Sequence, residues 1–208
     1  KGSLFSPGYS YPHIGGDATY VIIPEEVMLC GCLLPYDGDA YFYGSLTEPM
    51  SCIVGGFHAN YHGKPGVYEH TMGCKPRGNM AILAGAGPMG LGCADYAIHG
   101  GNPPRLLVIT DIDEARLARA AELTTVEDAA AHGVKLVYMN TNAVGDPVEA
   151  IRALTDGEGF DDVFVYAPVK PVVEMGDALL ARDGCLNFFA GPTNPQFSAM
   201  FNFYNVHY

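Results

Sequence analysis

A chain of 208 residues, 49% hydrophobic and 16% charged, is long and apolar enough to bury a sizeable core, which excludes disorder as the default. With 11 Lys and Arg against 23 Asp and Glu, the net charge is −12 and the cations are scattered, so nucleic acid and anionic membranes are poor partners. No apolar run approaches the roughly 18 to 20 residues of a membrane span, Lys1-Gly2-Ser3-Leu4 carries no signal-peptide core, and six irregularly spaced cysteines without a CxxC pair fit a reducing cytoplasm.

The first stretch is rich in Gly, Pro and Tyr and reads as β structure from another domain, with one clear strand over 18–23 closed by Pro24. Cys30-Gly31-Cys32 lacks a second pair at zinc-finger spacing and reads as two small apolar residues in a strand or turn. Thr47-Glu48-Pro49 then opens a helix: Met50, Ile53, Val54 and Phe57 recur at i, i+3, i+4 and i+7, with Pro in the first turn. Gly55 and Gly56 each cost about 1 kcal/mol relative to Ala inside it, and a close backbone approach would justify them. His58 and His62, at i and i+4, would face one way if the helix continues. With no third ligand nearby they read as a surface or interface pair rather than a metal site, and Lys64-Pro65-Gly66 as a loop.

From Asn79 onward, short apolar runs alternate with amphipathic stretches, the pattern of a parallel sheet covered by helices. Strands are predicted over 80–84, 106–110, 135–139, 162–166 and 185–189, with little polar alternation, as expected where both faces are buried. Helices are predicted over 88–99, 113–123, 147–154 behind the cap Asp146, and 171–182, the last with Val172, Met175 and Leu179 on its buried side and Gly184 beyond its end. Asn205-Val206-His207-Tyr208 reads as the start of a sixth strand, so the sequence is expected to be a piece of a longer protein.

Chemistry concentrates at Gly85-Ala86-Gly87-Pro88-Met89-Gly90, a GxGxxG placed directly after a strand and before a helix. In that context Gly85 permits the tight turn, Gly87 lets the backbone approach a pyrophosphate, and Gly90 lets the helix pack on the strand. The N–H groups at the helix start, around Pro88 and Met89, face the phosphates. Asp111 ends the second strand 21 residues after Gly90 (111 minus 90), where a carboxylate accepts from the adenosine ribose hydroxyls and repels a 2′-phosphate. NAD is thereby favoured over NADP. The competing role for Asp111, a helix cap, suits Asp113 better. Ala167-Pro168 and Ala190-Gly191 follow the fourth and fifth strands, at the carboxyl ends where such a sheet binds its ligand, and are read as lining the nicotinamide pocket. No GxSxG elbow or Walker lysine supports hydrolase or phosphoryl-transfer chemistry. A methyltransferase shares a glycine-rich first turn and a following acid, but the complete GxGxxG spacing argues against that reading.

With the glycine motif, Asp111 and Thr47-Glu48-Pro49-Met50, the chain resembles the medium-chain dehydrogenase/reductase family, and within it the zinc-dependent polyol dehydrogenases such as sorbitol dehydrogenase. Gly15-Gly16-Asp17-Ala18-Thr19-Tyr20-Val21 looks like the family's Gly-Gly-x-Ala-x-Tyr-Val strand. The stretch 124–135 and Asn187-Phe188-Phe189-Ala190-Gly191-Pro192 are similar to members called L-sorbose 1-phosphate reductases. The resemblance implies an α/β fold, a doubly wound Rossmann sheet truncated in its sixth strand over 61–208, preceded over 1–60 by part of a β-rich GroES-like catalytic domain with its connecting helix. It also implies hydride transfer between NAD(H) and a polyol or sugar phosphate, with zinc as Lewis acid, in a homo-oligomer. The family's early Cys and Gly-His-Glu zinc ligands have no counterpart in these residues. Glu48 matches a glutamate at or near that metal, and its alternative role is a helix N-terminal carboxylate stabilised by the dipole. A module that binds NAD without catalysis is the competing reading.

Overall fold

The computed structural model describes residues 10, 11, 13–16 and 18–208, in two compact units divided between Ser45 and Leu46. In the first unit the described residues form two short helices, α1 (Glu25–Leu29) and α2 (Tyr41–Gly44). Gly31, at φ +65°, turns the chain at the end of α1, so that Cys32 N–H donates to the Val27 carbonyl and both Cys30 and Cys32 stand exposed with free thiols. The strand expected over 18–23 does not form, and no strand occurs among the described residues of this unit. Tyr20 and Ile22 are 91% and 64% exposed there: an apolar alternation needs a neighbouring strand to take up its backbone groups, and none lies alongside among the described residues.

The second unit begins with α3 (Thr47–Ala59), whose Ile53 and Phe57 are buried as the apolar stripe predicts. The helix stops at Asn60, and the chain turns into an antiparallel hairpin of β1 (Tyr61–Lys64) and β2 (Val67–Met72), with Gly66 at φ +78° in the turn. His62 therefore lies on a strand, and the helical His58/His62 pair is dissolved. The close approach expected at Gly55 and Gly56 comes instead from the neighbouring helix. A Cβ on Gly55 would meet nothing within 4 Å and one on Gly56 only ordinary contacts at 3.6 Å, whereas a Cβ on Gly92 would lie 2.7 Å from Ile53 Cδ1.

The parallel sheet is built from β3 (Asn79–Leu83), β4 (Leu106–Asp111), β5 (Lys135–Asn140), β6 (Phe160–Val165) and β7 (Leu180–Phe188), in the order β5-β4-β3-β6-β7. The order reverses between β3 and β6, the arrangement of a Rossmann sheet, in which ligands bind at the carboxyl ends of the strands beside such a reversal. The connecting helices are α4 (Pro88–His99), α5 (Glu114–Leu123), α6 (Val126–Ala131), α7 (Pro147–Ala153) and α8 (Lys170–Leu179). Three begin at side-chain caps: Asp113 accepts from Arg116 N–H, Thr125 from Asp128 N–H and Asp146 from Glu149 N–H. Side chains alternate across the sheet. Met80, Ile82, Leu107, Ile109 and Phe164 pack under α3, α4 and Ala129 of α6, while Ala81, Leu83, Val108, Val163 and Val165 pack under α7 and α8. Each such buried Val, Leu, Ile, Met or Phe side chain contributes about 1.5–3 kcal/mol.

Two ends differ from expectation. The helix predicted to reach residue 182 stops at Leu179, because Leu180 pairs with Phe160 and extends the edge strand from there, through a register shift with Asp183 at φ +63°. Residues 205–208 do not start a sixth strand. Asn202 accepts from Asn205 N–H and caps a short helix, α9 (Phe203–His207).

Candidate functional site

The turn from β3 into α4 is shaped by contacts more than by glycine torsions. Ala84, not Gly85, takes the left-handed conformation, at φ +52°. Gly85 N–H donates to the Thr110 carbonyl at 2.8 Å, and a Cβ on Gly85 would lie 2.9 Å from the Ile82 carbonyl oxygen, so the need for glycine there is steric. A Cβ on Gly90 would run into the Gly85 backbone, which is the close helix-to-strand packing the motif predicts. Gly87 differs from both: it is the N-cap of α4, has no side-chain cap, and a Cβ there would meet nothing within 4 Å. Nothing in the protein's own packing demands a glycine at 87. A Cβ there would point into open space at the first turn of a 12-residue helix begun by Pro88, where unpaired backbone N–H groups favour an anion.

Asp111 ends β4 beside this loop and is 7% exposed. Its Oδ2 accepts from Ala86 N–H at 3.2 Å, and its Oδ1 accepts from Ile112 and Asp113 N–H at 2.8 and 3.1 Å. Three backbone donors thus fix the carboxylate against the glycine loop and leave Oδ2 acceptor capacity over. Asp113 is the helix cap, as its position predicts, and its other carboxylate oxygen lies 3.7 Å from exposed Arg116.

The remaining predicted residues come to the same edge. Tyr166 N–H donates to the Leu83 carbonyl, which sets half-buried Ala167 and exposed Pro168 next to the end of β3. Ala190 N–H donates to the Val165 carbonyl at 3.1 Å, and exposed Gly191 follows. Gly85, Gly87, Pro88, Met89, Gly90, Asp111, Ala167, Pro168, Ala190 and Gly191 therefore all border the carboxyl end of one sheet. Glu48 reaches that edge from α3, which runs alongside α4 in the same direction: Met50 and Ile53 lie against Gly92, and Phe57 against Tyr96. Its Oε1 accepts from the Cys52 thiol at 3.2 Å, and that hydrogen bond raises the Cys52 pKa. Among the described residues, the one grouping of three or more potential metal ligands is His99, Asp128 and His132, which excludes Glu48. The donor set around Glu48 in these residues does not fit a catalytic zinc.

The sequence pattern missed a buried polar cluster at the opposite, amino edge of the sheet. His62 Nε2 lies 3.0 Å from Asp162 Oδ1 and its Nδ1 lies 3.1 Å from the Asp183 carbonyl. Asp162 also accepts from the Asn60 side chain at 2.7 Å and from Lys75 N–H at 2.9 Å. The signal was present as two adjacent acids, Asp161-Asp162, at the head of an apolar strand, where charged residues are buried only if paired. The cluster pins the β1–β2 hairpin to β6 and β7 and takes no part in the loop site.

The comparisons with known proteins agree with this geometry. The model of the family described as zinc-binding dehydrogenase matches residues 88–208. The chain is 57% identical over 204 residues to mannitol-1-phosphate 5-dehydrogenase of Aliivibrio fischeri, covering 98% of this chain and 48% of that protein. It is 48% identical over 202 residues to L-sorbose 1-phosphate reductase of Klebsiella pneumoniae, covering 97% and 48% respectively. The chain thus spans about half the length of these curated relatives. A Sinorhizobium meliloti 1021 structure bound to NADP superposes with a TM-score of 0.60 at 20% identity, over 79% of this chain and 41% of that one. The sheet order, the glycine turn and these matches lead to one assignment: the chain belongs to the zinc-binding dehydrogenases of the medium-chain dehydrogenase/reductase family.

Proposed function

We propose that the chain is the dinucleotide-binding part of an oxidoreductase that moves a hydride between NAD(H) and a polyol or sugar phosphate. The observation that carries the cofactor assignment is the buried Asp111 carboxylate, tied to the glycine loop through Ala86 N–H at 3.2 Å. In this reading the pyrophosphate lies over Gly87 and the start of α4, the adenosine ribose hydroxyls donate to Asp111, and a 2′-phosphate is repelled by it. Ala167, Pro168, Ala190 and Gly191 present backbone to the nicotinamide. The bound dinucleotide supplies the hydride chemistry, and these residues orient it and exclude water.

The substrate class rests on the names of the two relatives, a mannitol-1-phosphate 5-dehydrogenase and an L-sorbose 1-phosphate reductase. Glu48 stands at or near a zinc whose ligands would come from outside these residues, and residues 1–60 belong to the catalytic domain that holds the metal. The same reading has the protein working in a reducing cytoplasm, its six cysteines free, as a homo-oligomer. NADH and NADPH titrations by fluorescence test the cofactor assignment. NADH should bind the wild type at least about tenfold tighter than NADPH, and Asp111→Ser should erase the difference, the equivalent of about 1.4 kcal/mol. Equal affinities in the wild type would overturn it.

A further inference from the structure

We propose that His99, Asp128 and His132 form a binding site for a zinc-type divalent transition metal, joining the end of α4 to the end of α6. One donor atom from each of the three residues lies within 4.8 Å of the others, and His99 Nε2 stands 3.1 Å from Asp128 Oδ2. Around a tetrahedral zinc with bonds of about 2.0–2.1 Å, neighbouring donors are about 3.3 Å apart. One pair already has that spacing, and the exposed His132 brings the third donor, with its Nδ1 3.8 Å from Asp128 Oδ1.

Two further observations set this cluster apart from a chance meeting of exposed side chains. First, His99 has a supporting partner: its Nδ1 lies 3.0 Å from the Asp95 carbonyl and 3.1 Å from Asp95 Oδ1. With Nδ1 donating to Asp95, a metal would take the place of the Nε2 proton that Asp128 now accepts, so binding competes with that proton. A carboxylate behind the far nitrogen of an imidazole is the usual outer support of a metal-binding histidine. Second, the backbone beneath is held firmly. Ala129, beside Asp128, is fully buried in the same core cluster as Ala97 and Ile98, which precede His99. The His132 ring is fixed by its Nδ1, 3.0 Å from the Asp128 carbonyl, and packs edge-on against the His99 ring with centroids 4.6 Å apart.

Two imidazoles and one carboxylate suit zinc, nickel or copper over magnesium or calcium, which prefer all-oxygen shells. The exposed side completes the coordination with water. The cluster lies at the amino edge of the sheet, since α4 leaves the glycine loop and ends at His99 on the far side. A metal there would clip α4 to α6.

The test is calorimetric titration of untagged protein with Zn2+, beside the His99→Gln/His132→Gln double variant. The wild type should take up one equivalent more than the double variant, and Asp95→Asn should weaken that equivalent about 10- to 100-fold. Equal stoichiometry and affinity in wild type and double variant would leave an ion-pair cluster only and overturn the proposal. A measurement on the wild type alone guards against a variant that fails to fold. Zn2+ should protect His99 and His132, and not exposed His58, from carbethoxylation read by mass spectrometry; equal modification of all three with and without Zn2+ also overturns it.

Discussion

His62 has a hydrogen-bond acceptor at each ring nitrogen, Asp162 Oδ1 and the Asp183 carbonyl, so the ring satisfies both only as an imidazolium. The hydrogen bond to Asp162 outweighs the opposing desolvation, and the His62 pKa is raised above its ordinary 6.5. Folded protein therefore holds this proton more tightly than unfolded chain. The resulting stabilisation is fully present below about pH 6.5 and is lost as pH rises through the folded value. His62→Gln should cost about 1–3 kcal/mol in urea unfolding at pH 6, and the gap to wild type should narrow toward pH 8.5. A gap that stays constant with pH would show that His62 acts by packing alone. Tyr166 presents the reverse case: its buried hydroxyl has no oxygen or nitrogen partner among the described residues, only the Cys93 thiol beside it, and burial pushes its pKa far up. Tyr166→Phe should leave stability unchanged or raise it by about 1 kcal/mol. A clear loss in thermal or urea unfolding would mean that the hydroxyl is bonded in the working protein. Neither role was visible in the sequence, where His62 reads as the second member of a helical pair and Tyr166 as one more aromatic at a strand end.

At the scale of elements, most of what depends on local chemistry was legible and what depends on a neighbour was not, although α6, capped by Thr125, went unread within the stretch 124–135. The five strands announce themselves as apolar runs, α4 matches its predicted span, and Asp113 and Asp146 cap the helices that follow them. The GxGxxG turn and Asp111 could be placed for the same reason: their meaning is carried by a few residues in sequence. Residues 18–23 and 205–208 have the composition of strands but pair with none among the described residues, and 180–182 look helical until Phe160 captures Leu180 into the sheet. The α3–α4 contact shows the same division, because α3 bears the conspicuous glycines while α4 bears the one that packing requires. Gly55→Ala, into open space, should therefore stabilise by about 0.5–1 kcal/mol through helix propensity. Gly92→Ala places a Cβ 2.7 Å from Ile53 Cδ1, itself 1% exposed, and should destabilise by about 1–3 kcal/mol. Chemical denaturation of the two variants checks both signs, and reversed signs would contradict the packing described.

For the molecule as a whole, the division of labour between cofactor and metal sets what these 208 residues can do by themselves. The groups proposed to hold a dinucleotide all lie at one edge of the sheet: the turn before α4, the fixed Asp111 carboxylate and the backbone after β6 and β7. Hydride transfer also needs a polarised carbonyl or carbinol oxygen opposite the nicotinamide, a task for a Lewis acid with three protein ligands and an open position. At that edge Glu48 is a single exposed carboxylate already engaged by Cys52, while the His99, Asp128 and His132 cluster lies across the sheet at the amino edge. One monodentate oxygen leaves a zinc ion in water rather than beside the substrate. The expected outcome is that the 208-residue chain binds NADH but gives no NAD-linked absorbance change at 340 nm with mannitol 1-phosphate or L-sorbose 1-phosphate, with or without added Zn2+. Turnover above the uncatalysed rate would mean that a catalytic group lies among these residues, and Glu48→Gln would then be the first variant to assay.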